Sequence, residues 1–242
     1  MIDIHCHILP GYDDGARDLS EALAMAHIAL ESGVTGIVAT PHFRGEMRSL
    51  NDMGLLLDRY RRLEAALEDT GMPLTLYPGA EILCMPQTLE MAQRRDLPPL
   101  GNTDKLLCEF FFNESPEFME DILNGIMASG YVPVIAHPER YDAVRHDPRI
   151  LERWFTRGCL IQLNKGSILG AFGYEAQLAA DWIIDNGLAH MVASDAHRAD
   201  RRTTDMGQLR TVMLEKYPAA YVKVLLDINP QRLIRGEEMY QP

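Results

Sequence analysis

The sequence predicts an α/β fold in which parallel strands close, or nearly close, into a barrel. Seven short β-rich runs alternate with longer helical patterns along the chain, which is the order expected of repeated βα units. The β-rich runs are continuously apolar, as in Pro-Val-Ile-Ala at 133–136, and parallel strands buried on both faces have this composition. Seven such units fit a barrel more naturally than an open sheet.

The first predicted strand covers residues 2–6, and a helix follows it. That helix begins after Asp18, the expected N-cap, has Glu21 three residues later and ends at Gly33. The other predicted strands cover residues 34–39, 74–78, 106–110, 132–136, 159–163 and 189–193. The other predicted helices cover residues 50–69, 116–129, 147–157, 174–186 and 205–216.

The composition predicts one globular domain spanning residues 1–242. A chain of 242 residues fits one large domain or two small ones, and no linker-like stretch marks a boundary. Apolar residues make up 47% of the chain and charged residues 24%, a balance that argues against wholesale disorder.

Apolar runs, cysteines and net charge predict a cytoplasmic protein without nucleic-acid or membrane partners. No apolar run approaches about 18 residues, the length of a membrane span, and no basic segment precedes an apolar one at the start, as in a secretory signal. The four cysteines lack paired spacing and are expected to be reduced thiols. The net charge of −12 argues against non-specific binding to nucleic acid or anionic membranes.

The first predicted strand carries the clearest sign of chemistry, the pair His5 and His7. Side chains two apart on a strand point to the same side, so two imidazoles converge, and neutral imidazole nitrogen is a preferred metal ligand. Further ligand-type residues follow or end later strands, at the rim where barrel enzymes build active sites. They are Asp13 or Asp14, His42, Glu81, Glu109, His137, Asp195 and His197.

Each of these residues also has an ordinary structural interpretation. Glu81 and Glu109 could be salt-bridged, His137 could cap a helix, and Asp195 with His197 could form a loop hydrogen bond. Taken together this interpretation fails, because so many unpaired polar groups at strand ends would be costly to bury. Metal ions offset that cost.

Other residues of reactive type are predicted to be structural. His27, His146 and His190 fall inside a helix, in a polar loop and at the amino end of a strand. The cysteines are expected to pack in the core, since the chain has no C-x5-R loop for a thiol phosphatase. The run 110–112, Phe-Phe-Phe, is expected to be core and pocket wall.

With these motifs the chain resembles the PHP (polymerase and histidinol phosphatase) superfamily. Within it, the chain is similar to the bacterial manganese-dependent protein-tyrosine phosphatases of capsule and exopolysaccharide operons. Glu109 separates this branch from relatives that more often carry histidine there. The matching pieces, in family order, are Ile-Asp-Ile-His-Cys-His with Asp-Asp-Gly, Thr-Pro-His, Gly-Ala-Glu, Glu109, Val-Ile-Ala-His-Pro-Glu-Arg-Tyr, Ala-Ser-Asp-Ala-His and Asp-Ile-Asn-Pro at 227–230.

The resemblance implies a distorted (β/α)7 TIM-like barrel, the PHP fold, that holds three divalent metal ions. It implies manganese, although the ligand types also suit iron or zinc. The implied ligands are His5, His7, Glu81 and Asp195 for the first ion, Glu81, Glu109 and His137 for the second, and Asp14, His42 and His197 for the third. The residues alone do not choose between Asp13 and Asp14.

The resemblance also implies how the site works. A hydroxide that bridges the metals would attack the phosphorus of phosphotyrosine on a protein, with the tail of a bacterial tyrosine kinase as the expected partner. Arg140 matches the family's phosphate-binding arginine, and Arg202 is a further candidate for that role. The structural alternative for Arg140 is a salt bridge to Glu139 or Asp142.

Three other functions stay open on the sequence. A histidinol-phosphate phosphatase or another small-molecule phosphoesterase could use the same metals, although Glu109 and the short chain speak against it. An amidohydrolase also opens with His-x-His, but it bridges its metals with a carboxylated lysine where this chain has Glu81 and Glu109. A non-catalytic metal-dependent binding module is the third alternative.

Overall fold

The computed structural model describes residues 1–44 and 53–241, in which the strands form two parallel sheets. A three-stranded sheet has the order β1-β2-β4, and a six-stranded sheet has the order β3-β5-β6-β7-β8-β9. The strands are β1 (Ile2–Cys6), β2 (Gly36–Ala39), β3 (His42–Phe43), β4 (Thr75–Pro78), β5 (Glu81–Leu83), β6 (Lys105–Glu109), β7 (Val132–Ala136), β8 (Leu160–Asn164) and β9 (Met191–Ala193).

The predicted parallel α/β fold is confirmed, but the predicted distorted (β/α)7 TIM-like barrel, closed or nearly closed, is not. Two of the predicted strands each continue as a second short strand in the other sheet: β2 leads to β3 through Pro41, and β4 leads to β5 through Gly79. Proline cannot donate a ladder hydrogen bond, and a Cβ at Gly79 would lie 2.8 Å from Val38. The chain therefore changes sheets at these two points, and the ladders do not close into a ring.

The segment after β9 returns to β1 without forming a regular ladder. Cys6 and Ala196 form an isolated parallel bridge. The backbone N–H of His7 donates to the carbonyl of Ala196 at 2.8 Å, and the N–H of Asp195 donates to the carbonyl of His5 at 2.9 Å. This contact brings the carboxyl ends of β1 and β9 side by side.

The helices cover the sheets, and the longer ones match the predictions within a few residues. The predicted helix 50–69 corresponds to a helix at Met53–Thr70, and residues 50–52 lie outside the described part of the chain. Within the described residues, five helices of four to nine residues were not predicted, because they are too short for a clear apolar period. They are Pro86–Arg94, Asp142–His146, Lys165–Ile168, Ala219–Lys223 and Asn229–Ile234. The helices are α1 (Leu19–Glu31), α2 (Met53–Thr70), α3 (Pro86–Arg94), α4 (Pro116–Ala128), α5 (Asp142–His146), α6 (Ile150–Thr156), α7 (Lys165–Ile168), α8 (Tyr174–Asp185), α9 (Gly207–Lys216), α10 (Ala219–Lys223) and α11 (Asn229–Ile234).

Buried side chains join the two sheets and hold the helices on them. One cluster combines residues of both sheets, including Ile4, Val38, Leu107 and Met191. A larger cluster includes the fully buried Trp154 and packs the helices against the sheets. Within residues 1–44 and 53–241, none of the helices has the length and apolar character needed to cross a membrane.

Candidate metal centre

The nine candidate metal ligands lie together, at the carboxyl ends of β1 and β6, at the first residues of β3 and β5, and in the turns after β1, β7 and β9. Most of these side chains line a cavity of about 160 Å³, and His5 and His7 lie beneath it in contact with Glu81. The cavity is lined by Asp14, His42, Arg44, Glu81, Glu109, Phe112, His137, Arg140, Asp195, His197 and Arg202.

Glu81 lies at the centre of the cluster. Its Oε1 atom is 3.2 Å from His5 Nε2 and 2.9 Å from His137 Nε2. Its Oε2 atom is 3.3 Å from His7 Nε2 and 3.0 Å from His42 Nδ1. One carboxylate therefore faces four imidazoles, an arrangement suited to bridging two cations.

Asp195 and the two histidines of β1 form one side of the cluster. His5 Nε2 and His7 Nε2 are 3.3 Å apart, and Asp195 Oδ1 lies 3.7 Å and 3.5 Å from them. Glu109, on the other side, has its carboxylate oxygen atoms 3.6 Å from His42 Nδ1 and 4.0 Å from His137 Nε2.

The third part of the cluster lies towards the mouth of the cavity. Asp14 Oδ1 is 3.4 Å from His42 Nε2 and 3.6 Å from His197 Nε2. The rings of His7 and His197 have centroids 3.9 Å apart. The Asp14 side chain is 66% exposed, so it can reach an ion that is still open to solvent.

The donor atoms fall into three overlapping groups, each within 4.8 Å, that could hold a metal ion. These groups differ in membership from the sets that the resemblance implies, because His7 joins the group at the mouth and His42, rather than His137, joins the two glutamates. The groups are His5, His7 and Glu81; His42, Glu81 and Glu109; and His7, Asp14, His42 and His197.

The electrostatics of the cluster fit divalent cations. Burial, and after it the neighbouring Glu81 carboxylate, raise the pKa of Glu109 to about 7. Burial would also raise the pKa of Glu81, yet the surrounding imidazoles hold it well below its usual range. His42 Nδ1, although 3.0 Å from Glu81 Oε2, does not meet hydrogen-bond geometry with it, and Nδ1 of His137 is also buried without a hydrogen-bond partner. Crowded carboxylates and unpartnered imidazole nitrogen atoms are what metal binding would satisfy.

Polar side chains behind the cluster orient the β1 histidines. His5 Nδ1 donates to Gln162 Oε1 at 2.9 Å, and His7 Nδ1 donates to Asp13 Oδ2 at 2.8 Å. These hydrogen bonds turn the Nε2 atoms towards Glu81. In metal-binding histidines, the ring nitrogen that does not bind the metal typically donates such a hydrogen bond. The sequence does not distinguish the roles of Asp13 and Asp14, but the structure does. Asp13 supports His7, whereas Asp14 faces the cavity.

Both candidate arginines reach the cavity. Arg140 lies 3.4 Å from Asp195 Oδ2, and Arg202 lies 2.6 Å from the same atom. Asp142, an alternative partner for Arg140, pairs with Arg145. Arg202 has a left-handed backbone with φ of 48°, a conformation that non-glycine residues rarely adopt outside functional or tightly held sites.

Two phenylalanines contact the Arg140 guanidinium. Phe112 belongs to the run expected to be core and pocket wall and lines the cavity, whereas Phe172 was not expected near the site. The Arg140 guanidinium lies 4.5 Å from the Phe112 ring centroid and 4.3 Å from that of Phe172. Arg44 also lines the cavity but was not predicted as a site residue. Because it lies two residues after His42, the alternation of side chains along a strand would have predicted that both point to the same side. For Phe172, in the loop before α8, no sequence signal was available.

The three histidines predicted to be structural lie outside the cluster. His27 is exposed and 3.3 Å from Glu31, His146 is exposed at the end of α5, and His190 Nδ1 accepts from the backbone N–H of Ile161. All four cysteines are buried and unpaired. The run 110–112 is divided, since Phe110 is buried whereas Phe111 and Phe112 are 50% and 41% exposed.

Comparison with known proteins agrees with this geometry. The family model described as capsular polysaccharide synthesis, CpsB/CapC, matches residues 1–235. The chain belongs to the CpsB/CapC family. It is 33% identical to the tyrosine-protein phosphatase YwqE of Bacillus subtilis over 100% of this chain and 94% of that protein. It is 35% identical to the putative tyrosine-protein phosphatase CapC of Staphylococcus aureus over 86% of this chain and 82% of that protein.

A solved structure of the CpsB/CapC family supports the same assignment. The chain superposes with a TM-score of 0.93 and 32% identity on a crystal structure from the work on YwqE of Bacillus subtilis and CpsB of Streptococcus pneumoniae. The match covers 100% of this chain and 97% of that one. Those two proteins are described as metal-dependent tyrosine phosphatases.

Proposed function

We propose that this chain is a metal-dependent protein-tyrosine phosphatase. The observation that carries the proposal is the cluster of imidazoles and carboxylates around Glu81, at the strand ends, in a member of the CpsB/CapC family. Three arginines, Arg44, Arg140 and Arg202, line the same cavity. The cavity therefore combines a site for cations with a site for a phosphate.

The proposed cofactors are three divalent ions, with manganese as the native metal. When bound, such ions activate water and neutralise the charge of a phosphoryl group. The proposed ligands are His5, His7, Asp14, His42, Glu81, Glu109, His137, Asp195 and His197, since all nine lie in one cluster.

The chain's own contribution is to bind and orient the phosphate ester. Arg140 offers a planar fork that holds two phosphate oxygen atoms at once, and its position between Phe112 and Phe172 limits its freedom before substrate arrives. Arg202 contacts the same Asp195 oxygen atom as Arg140 does. Both guanidinium groups would stabilise negative charge that grows on the phosphoryl oxygens during transfer.

The biological setting belongs to the same proposal. The substrate would be phosphotyrosine on a protein, with the tail of a bacterial tyrosine kinase of capsule or exopolysaccharide synthesis as the partner, in the cytoplasm. We also infer that residues 1–242 act as one domain and that its two sheets are the halves of a distorted barrel, since one buried cluster joins both sheets.

Metal analysis combined with a phosphatase assay tests this function. The purified protein should contain two to three transition-metal ions per chain, lose phosphotyrosine-peptide hydrolysis with a chelator and regain it with manganese. His137→Ala should lower metal content and activity together, whereas His27→Ala, at an exposed position on α1, should change neither.

Two results would overturn the proposal. Full activity with fewer than one metal ion per chain would remove the metal mechanism. Faster turnover of histidinol phosphate than of a phosphotyrosine peptide would instead assign the chain to small-molecule phosphoester hydrolysis.

A further inference from the structure

A second cleft adjoins the cavity that holds the candidate metal ligands. It has a volume of about 180 Å³ and is walled by Leu83 and the run Phe110–Phe112. Arg44, Glu109 and Phe112 line both spaces. We call this space the phenylalanine cleft. A ligand in the metal cavity could therefore extend directly into it.

The phenylalanine cleft exposes more apolar surface than folding requires. Phe111 is 50% exposed and the adjacent Phe112 is 41% exposed. Neighbouring aromatic side chains left in solvent beside a polar cavity are typical of binding sites, because exposure forgoes the stabilisation that burial would bring.

The aromatic run is held in place before any ligand binds. The hydroxyl of the fully buried Tyr141 donates to the carbonyl of Ala136 at 2.9 Å and accepts from the N–H of Phe110 at 3.1 Å. The N–H of Asp142 donates to the carbonyl of Phe112 at 2.8 Å. These hydrogen bonds fix the position of the cleft relative to the turn that carries His137. A site that is already fixed loses less conformational entropy when a ligand binds.

The size and lining of the cleft fit one aromatic ring. An engineered cavity of about 150 Å³ lined by leucine, isoleucine and phenylalanine binds benzene, and phenylalanine rings favour offset or edge-to-face contact with another ring. Phe112 lines the cleft, and the Arg140 guanidinium lies 4.5 Å from the Phe112 ring centroid. A ring in the cleft would therefore place a phosphate on that ring close to Arg140.

We propose that the phenylalanine cleft binds the aromatic ring of the substrate, so that it selects aryl phosphates over alkyl phosphates. This inference rests on the proposed phosphatase function and adds the structural basis of its preference for tyrosine. Phe111 supplies a face of the ring site and has no part in metal or phosphate binding, which makes it the residue to test.

The test compares a substrate that has a ring with a ligand that lacks one. Phe111→Ala should lower kcat/KM for phenyl phosphate by about tenfold, the upper range for one lost aromatic contact, chiefly through a higher KM. The inhibition constant of inorganic phosphate should stay within about twofold of the wild-type value, because phosphate alone does not reach the ring site. Phe111→Tyr should restore most of the loss.

Leu214→Ala, at a 44% exposed position on α9, is the matched control and should leave both constants unchanged. The cleft is excluded as a ring site if Phe111→Ala leaves kcat/KM for phenyl phosphate unchanged, or if it weakens phosphate inhibition equally. A wild-type protein with its metal restored that hydrolyses neither phenyl phosphate nor a phosphotyrosine peptide would refute the phosphatase function itself. That result differs from turnover of phenyl phosphate that is insensitive to Phe111.

Discussion

Asp13 and His7 form a buried pair in which His7 Nδ1 donates to Asp13 Oδ2 at 2.8 Å. Asp13 Oδ2 also accepts from the backbone N–H of His42 at 2.9 Å, and Asp13 Oδ1 accepts from the N–H of Gly15 at the same distance. One carboxylate therefore sets the tautomer and direction of His7 and fixes the start of the strand that carries His42.

Asp13→Asn should weaken metal binding by about 10- to 100-fold, the usual effect of losing a carboxylate behind a metal-binding histidine. The substitution keeps the size of the side chain but removes the negative charge that makes His7 a stronger ligand. Metal titration of the apoprotein measures the change. Asp58→Asn, at an exposed position on α2, is the control, and equal affinities for the two variants would show that Asp13 has no supporting role.

Arg140→Ala should leave metal content intact and lower kcat/KM for a phosphotyrosine peptide by about 10² or more, the scale seen when one transition-state donor is removed. Arg140→Lys should recover part of this, since an ammonium group cannot copy the two-pronged contact. Activity, bound metal and melting temperature are measured on the same samples. Near-normal kcat/KM with a lowered melting temperature would assign Arg140 a purely structural role.

The cysteines should be dispensable for catalysis. Cys6 is fully buried next to the candidate ligands, and burial raises its pKa well above the usual value, which disfavours the nucleophilic thiolate. Cys6→Ala and Cys159→Ala should therefore retain most phosphatase activity. A variant that keeps its fold and metal but loses turnover would point to a thiol mechanism.

His190 should make the protein less stable in mild acid. Burial lowers its pKa from 6.5 to about 4, so the unfolded chain binds its proton more tightly than the folded chain does. The stability that this neutral imidazole contributes is present above pH 6.5 and is lost as the pH falls towards 4, by about 3 kcal/mol in total.

Urea unfolding of wild type and His190→Asn between pH 4 and 7 measures this effect. Asparagine can still accept from the Ile161 N–H but does not titrate, so the difference in unfolding free energy between the two proteins should shrink as the pH falls. A difference that is constant across this range would contradict the shifted pKa.

The sequence by itself determined the parallel α/β character, most long elements and the positions of the candidate ligands. Strand alternation put His5 and His7 on one side, and the carboxyl ends of parallel strands meet at one edge. Glu81, His137 and Asp195 could therefore be expected to lie near each other, even without knowledge of which strands pair in the sheets. The backbone geometry that brings these residues together is local and periodic, and a sequence pattern records it directly.

Tertiary structure alone decided which residues support or surround those ligands. The choice between Asp13 and Asp14 depends on which carboxylate meets His7 across a turn, and Phe172 reaches Arg140 from a loop that no local pattern connects to it. The change of sheet at Pro41 and Gly79 likewise depends on contacts between distant strands. Such contacts join residues far apart in sequence, so their energies are set by packing in three dimensions, which local propensity and spacing do not encode.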